Sequence, residues 1–251
     1  MTSGQIVDTP TASEFLTQVL QVTTREELSQ IAADLVGKSD AMRAVAGDHP
    51  ATMDQAALRE LLSWVFCSRR HVEKIFAVVH PEELAAGIAE LLHGSSGVAQ
   101  RFDAFQGLLS GLDGSGAGAV AADLPGELLH FLDPSRYWLW SRWMWDPDVE
   151  TGALRLVTMD EVDLDAGTAG ESYLAIGRAL AFVEETGKAA GFTTMGAGLF
   201  GTDVFLATVY GVYMHTVLRM RLTQEFTNVV PPLPALARRL LGVHHPRNRK
   251  A

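Results

Sequence analysis

Four of the chain's five tryptophans fall inside one short run, Tyr137-Trp138-Leu139-Trp140-Ser141-Arg142-Trp143-Met144-Trp145-Asp146. Indole rings bring large apolar area together with one N–H that wants an acceptor. Guanidinium groups such as those of Arg136 and Arg142 stack on aromatic faces, and rings and arginines are frequent anchors of protein interfaces. Two readings follow. Either the rings knit a core where helices meet, or Arg136, Tyr137, Trp138, Trp140, Arg142, Trp143 and Trp145 form a partner-binding surface. A second polar set lies in the most apolar stretch of the chain, Met195 to Leu218. There Asp203 and Tyr210 are about two helical turns apart and share a face. A buried carboxylate must be paired or hydrogen-bonded. Asp203 therefore either meets an arginine such as Arg142 or Arg178 in the core, or lines a small-ligand pocket with Tyr210 and Tyr213.

No catalytic constellation accompanies these groups. His71, His80, His93 and His130 are scattered, without the H-E-x-x-H or Glu-x-x-His spacing of a metal site. His244-His245 stand in a basic end with no acidic neighbours. Ser135 or Ser141 with His130 lacks the G-x-S-x-G context of a nucleophile elbow. Catalytic residues, metal ligands and cofactors are accordingly expected to be none. The only cysteine, Cys67, is flanked by Trp64, Val65 and Phe66, which suits a buried structural thiol in a reducing compartment.

The segment Gly114-Ser115-Gly116-Ala117-Gly118-Ala119-Val120-Ala121-Ala122 follows a helical pattern rather than a strand and lacks the P-loop lysine, so it reads as a turn between helices. Its glycine–apolar–glycine form, followed by Leu128-Leu129-His130-Phe131-Leu132-Asp133-Pro134-Ser135-Arg136-Tyr137, resembles the central part of the helix-hairpin-helix DNA glycosylase superfamily. The resemblance covers this stretch alone. It implies a helical fold more than an activity, because the residues that would carry the chemistry differ. Val120 occupies the place of the family's hairpin lysine. Trp140-Ser141 stand where its catalytic aspartate falls, and Pro125-Gly126 interrupt the helix after the hairpin.

Bulk composition narrows the function classes. Hydrophobic residues make up 47% of the chain, enough for a full core. A formal net charge of −10 works against contact with phosphate backbones, which nucleic-acid affinity requires. Met1 to Pro10 has neither the basic start nor the apolar stretch of a signal peptide. The Met195–Leu218 stretch is long enough for a bilayer, but Asp203 and several hydroxyls inside it favour a central buried helix. A cytoplasmic protein is expected, with neither nucleic acid nor membrane as partner.

These groups are positioned by helices throughout. Phe15, Leu16, Val19 and Leu20 recur at helical spacing, as do Leu28, Ile31, Ala32 and Leu35 behind Thr24-Arg25-Glu26-Glu27, a capping box. Further helices are expected over 52–76, from His80-Pro81 to Gly94, around Phe102–Leu109, over 128–132, 171–187, 195–225 and 234–241. The expected fold is mainly α: a flexible tail over 1–10, a single helical domain over 11–243 with room for a short β-hairpin near 150–164, and a basic tail over 244–251. The basic end, Arg219 to Lys250, contrasts with an acidic middle from Asp146 to Asp165, a polarity that suits docking or self-association. The functional expectation is a non-catalytic interaction protein, an accessory or assembly subunit that meets another protein or a second copy of itself as a homo-oligomer. Two alternatives stand beside it: a helix-hairpin-helix nucleic-acid protein, and a ligand-binding domain centred on Asp203 and Tyr210.

Overall fold

The protein is mainly α in a computed structural model that describes residues 6–113, 116–191, 198–221 and 231–243. Among these residues no strand ladder forms. The hairpin expected near 150–164 is reduced to the isolated antiparallel bridges Asp146–Thr151 and Val7–Thr158. The chain divides into two units, each assembled from separate stretches; two of the four dividing lines fall inside helices α2 (Arg25–Ala46) and α8 (Ala169–Ala190), and the other two follow Arg142 and Val162.

Unit 1 takes the described residues of Met1–Val36, Trp143–Val162 and Arg178–Ala251. Helix α1 (Thr9–Val22) starts where Asp8 accepts the Thr11 N–H at 3.1 Å and Pro10 fills a first-turn position whose N–H would be idle. The residues ahead of it, read from sequence as tail, are ordered from Ile6 on. Val7 is buried, the Asp8 N–H donates to Val157 O at 2.9 Å, and Ile6 O accepts from Met159 N at 2.9 Å. The capping box at the head of α2 is reciprocal. Thr24 Oγ1 accepts from Glu27 N at 3.2 Å, and Glu27 Oε2 accepts from Thr24 N at 3.3 Å.

Helix α9 (Gly201–Arg221) carries the centre of this unit through Val204, Phe205, Leu206, Ala207 and Val209, all buried. It packs against α1 and against α10 (Leu233–Leu240). Gly211 lets α10 come close, because a Cβ there would stand 2.4 Å from Leu233 Cδ1. Arg238 of the basic stretch is held by Asp34 at 3.0 Å. No described helix is long and apolar enough to cross a membrane. The expected C-terminal tail, 244–251, lies outside the described residues.

Unit 2 takes Gly37–Arg142 and Asp163–Gly177. A short 3-10 turn (Pro50–Thr52) leads into α3 (Gln55–Trp64), α4 (Val72–Val78), α5 (Pro81–His93), α6 (Val98–Leu108) and α7 (Ala117–Leu132). The single helix expected over 52–76 is therefore two. The reason is that the chain after Trp64 turns inward: Phe66 N donates to the Glu127 carboxylate at 3.3 Å, and Ser68 Oγ donates back to Leu62 O at 2.8 Å. Helix α5 buries Leu84, Ala85, Ile88, Leu91 and Leu92 and packs against α3, α6 and α7. The start of α8 is fastened to α6 at Gly170, whose N–H donates to Asp103 Oδ1 at 2.7 Å. A Cβ on Gly170 would lie 2.0 Å from Ala99 O, so only glycine permits this approach.

Two glycines therefore respond to alanine with opposite signs. Gly37 is exposed inside α2 with open space where its Cβ would be, and Gly37→Ala is expected to stabilise by about 0.5–1 kcal/mol. Gly170→Ala is expected to cost about 1–3 kcal/mol through the backbone clash. Urea unfolding of both variants checks the pair, and shifts of the same sign would contradict the packing described.

Candidate functional site

After α7 the chain runs without regular structure through the tryptophan segment, so its peptide groups need partners outside any ladder. In unit 2 side chains supply them. Tyr137 O accepts from His130 Nδ1 at 2.8 Å, which fixes the proton on that nitrogen. Trp138 O accepts from the Tyr173 hydroxyl at 3.0 Å, and Arg142 N donates to Asp123 Oδ1 at 3.0 Å.

The Tyr137 hydroxyl accepts from Arg101 Nη2 and donates to Leu92 O, both at 3.2 Å. Arg101 itself donates to Ser96 O at 3.0 Å and to Leu91 O. The Trp140 ring stacks on Phe102 at 5.6 Å, and Phe102 stacks on Tyr173 at 4.9 Å.

Tyr137 and Trp140, with 7% and 4% of their surface exposed, lie in the core. The half-buried Trp138 leans on Gly177, with Cδ1 3.1 Å from where a Cβ would stand. Arg142 lies 3.6 Å from Asp123, so the core pair with Asp203 considered from sequence is not the one it makes. Arg178, the other arginine considered for that pair, is exposed. Only Arg136, over the Tyr137 ring at 5.2 Å and 3.6 Å from Asp133, is exposed among the seven expected docking residues.

The continuation in unit 1 is satisfied by backbone. Trp143 O accepts from Ala153 N at 3.0 Å, and Met144 O accepts from Leu154 N at 2.9 Å. Gly152, at φ 149°, allows this approach, since a Cβ would stand 2.2 Å from Met144 O. Trp145, 2% exposed with the Arg155 guanidinium 5.1 Å over its ring, also lies in the core.

Trp143 is different. It is half-buried, and its ring lies 6.2 Å from Tyr210, which in turn lies 6.1 Å from Tyr213. Both tyrosines are half-buried as well. The structure thus joins one member of the tryptophan run to two members of the separate ligand-binding set. Burial, then the neighbouring Tyr213 and the Asp146 carboxylate, pushes the Tyr210 phenol above its usual range.

Asp203 stands apart from this cluster. It occupies the first turn of α9, where a carboxylate suits the positive end of the helix. It is 4% exposed, and at 1.5 Å per residue it lies about 10 Å along the axis from Tyr210.

Other chemistry-bearing groups were less visible in the sequence. Lys38, fully buried on α2, reaches Glu127 at 3.4 Å and lies 3.7 Å from the centre of the Phe131 ring. Burial pulls its ammonium below the usual lysine range, and Glu127 opposes the shift. Cys67 hydrogen-bonds the same carboxylate. Its thiol is pushed well up, first by burial and then by the Glu127 and Asp123 charges, which suits an inert structural thiol.

Gly116, left-handed at φ 81°, opens α7 with the His71 ring against it; Gly114 and Ser115 of the glycine segment lie outside the described residues. Val120 is buried.

In unit 1, helices α1, α9 and α10 bound a cleft of about 670 Å³, walled by Glu14, Thr17, Gln18 and Gln21 on α1 and by Val212, His215 and Thr216 on α9. A signal for it was present in the chain. Glu14, Thr17, Gln18 and Gln21 recur at helical spacing as a polar stripe on an otherwise amphipathic helix. No family model, curated protein or solved structure matches the chain.

The buried ion pair yields a direct test. Lys38→Met leaves the Glu127 carboxylate uncompensated and is expected to cost roughly 3–5 kcal/mol in urea unfolding. Lys38→Met with Glu127→Gln is expected to recover at least half of that loss. A single variant as stable as the parent would show that the pair does not hold these helices.

Proposed function

We propose that the protein is a non-catalytic helical interaction protein that docks a partner protein through Trp143, Tyr210 and Tyr213. The observation that supports this reading is the cluster of three half-buried rings, drawn from two distant stretches of chain and left at the surface of unit 1. Tryptophan and tyrosine dominate interface hot spots because a ring contributes much area for little conformational entropy. The Asp146 carboxylate beside Tyr210 and the net charge of −10 favour a partner that presents a basic surface, with arginine or lysine set over the rings.

An accessory or assembly role fits rings left at the surface of unit 1. The helix-hairpin-helix alternative has less support. A buried valine replaces the lysine, and the overall charge repels phosphate.

Affinity capture from native lysate, followed by titration of the recovered partner, tests the proposal. Trp143→Ala and Tyr213→Ser are each expected to weaken binding by about 2 kcal/mol, roughly 30-fold in Kd. Trp138→Ala, in the other unit, is expected to retain binding, and circular dichroism should show all three folded. Unchanged affinity in both unit 1 variants would remove the proposal. Sedimentation of the pure protein decides whether the partner is a second copy, since the same two variants would then dissociate a dimer.

A further inference from the structure

The chain leaves the tryptophan run through a tight turn in unit 1 whose base adjoins the ring cluster. Asp146, three residues after Trp143, donates its N–H to Thr151 O at 2.8 Å, and its carbonyl accepts from Thr151 N at 3.4 Å. Its Oδ1 accepts from Asp148 N at 3.1 Å. Asp148, Val149 and Glu150 are thereby held at the tip, all exposed, with 61% of the Val149 surface open. An aliphatic side chain stands there between two carboxylates.

Glu150 has a positive φ, 52°, and among the described residues every other positive φ belongs to a glycine. A side chain is disfavoured in this left-handed region, which glycine enters freely. Strain of this kind collects at binding and active sites, where a particular side chain is needed in place. Glycine would relieve the turn but would not supply the carboxylate.

We propose, resting on the ring-docking reading, that this turn is the second half of the docking surface and takes a basic segment of the partner with an apolar centre. Arginine or lysine side chains of that segment meet Asp148 and Glu150, and an aliphatic group between them packs on Val149. Opposite charges set across an interface give specificity and register. The apolar contact at the centre adds the area that charges alone lack.

The probe is a labelled octapeptide with two leucines between pairs of arginines, titrated into the full chain by fluorescence anisotropy. It is expected to bind at least about tenfold more tightly than its counterpart with glutamate for arginine. Val149→Ser and Glu150→Gly are each expected to weaken it by about fivefold. Glu150→Gly is expected at the same time to raise the urea midpoint, because the left-handed strain is relieved. Weaker binding together with higher stability is a result that a merely structural residue would not give. Glu83→Gln, which removes the same charge from an exposed position on α5, should leave the titration unchanged. Equal binding of the two peptides, no binding of either, or unaltered titrations in both turn variants would overturn the proposal. Weakening by Trp143→Ala alone would overturn the role of the turn and leave ring docking standing. Weakening by the turn variants alone would support the turn and remove the rings from the surface.

Discussion

A chain segment without helix or ladder can be buried only if each of its peptide groups finds another partner, and this condition governs the tryptophan run. Between Tyr137 and Arg142 the partners are side chains: His130 and Asp123 from α7, and Tyr173 from α8. From Trp143 to Asp146 they are the amides and carbonyl of 151–154. An unpaired buried amide costs on the order of 1–3 kcal/mol, so the segment has little freedom to move once these contacts are made. The directions of its rings follow from its backbone. Trp140 is delivered to the Phe102–Tyr173 stack and Trp145 to the interior, while Trp143 is left half out.

The same condition governs the most charged interior groups. Lys38, Glu127 and Cys67 look like a reactive set by residue type, but each is engaged by the others or by the Phe66 amide, and burial suppresses the ionisation of both lysine and thiol. Arg101 likewise directs its donors to Leu91, Ser96 and Tyr137, closing the end of α5. Three rings of unit 1, Trp143, Tyr210 and Tyr213, are by contrast left half out.

Helix periodicity and capping chemistry made much of the fold readable from sequence. The Thr24–Glu27 box, Pro81 in the first turn of α5 and the amphipathic spacing of α1 all act locally, within a few residues, and local rules suffice for them. The break at Val65–His71 was not readable, because its cause, the Glu127 carboxylate, is 61 residues away from Phe66. The same limit applies to the site. Tyr210 and Tyr213 were legible as polar groups of one apolar helix, and Trp143 as part of an aromatic run, but their meeting depends on tertiary packing. Trp140 and Trp145 could not be told from Trp143 by type or spacing. What separates them is which backbone carbonyls and rings happen to await each one. For Asp203, a face shared with Tyr210 leaves about two turns of helix between them.

Residue-resolved hydroxyl-radical labelling, read by mass spectrometry in the free protein and with its partner bound, tests the central claim most directly. Trp143 and Tyr213 should oxidise well ahead of Trp140 and Trp145 in the free protein, and should be the rings that become protected in the complex. Equal labelling of all four, or protection that passes Trp143 by, would contradict the account.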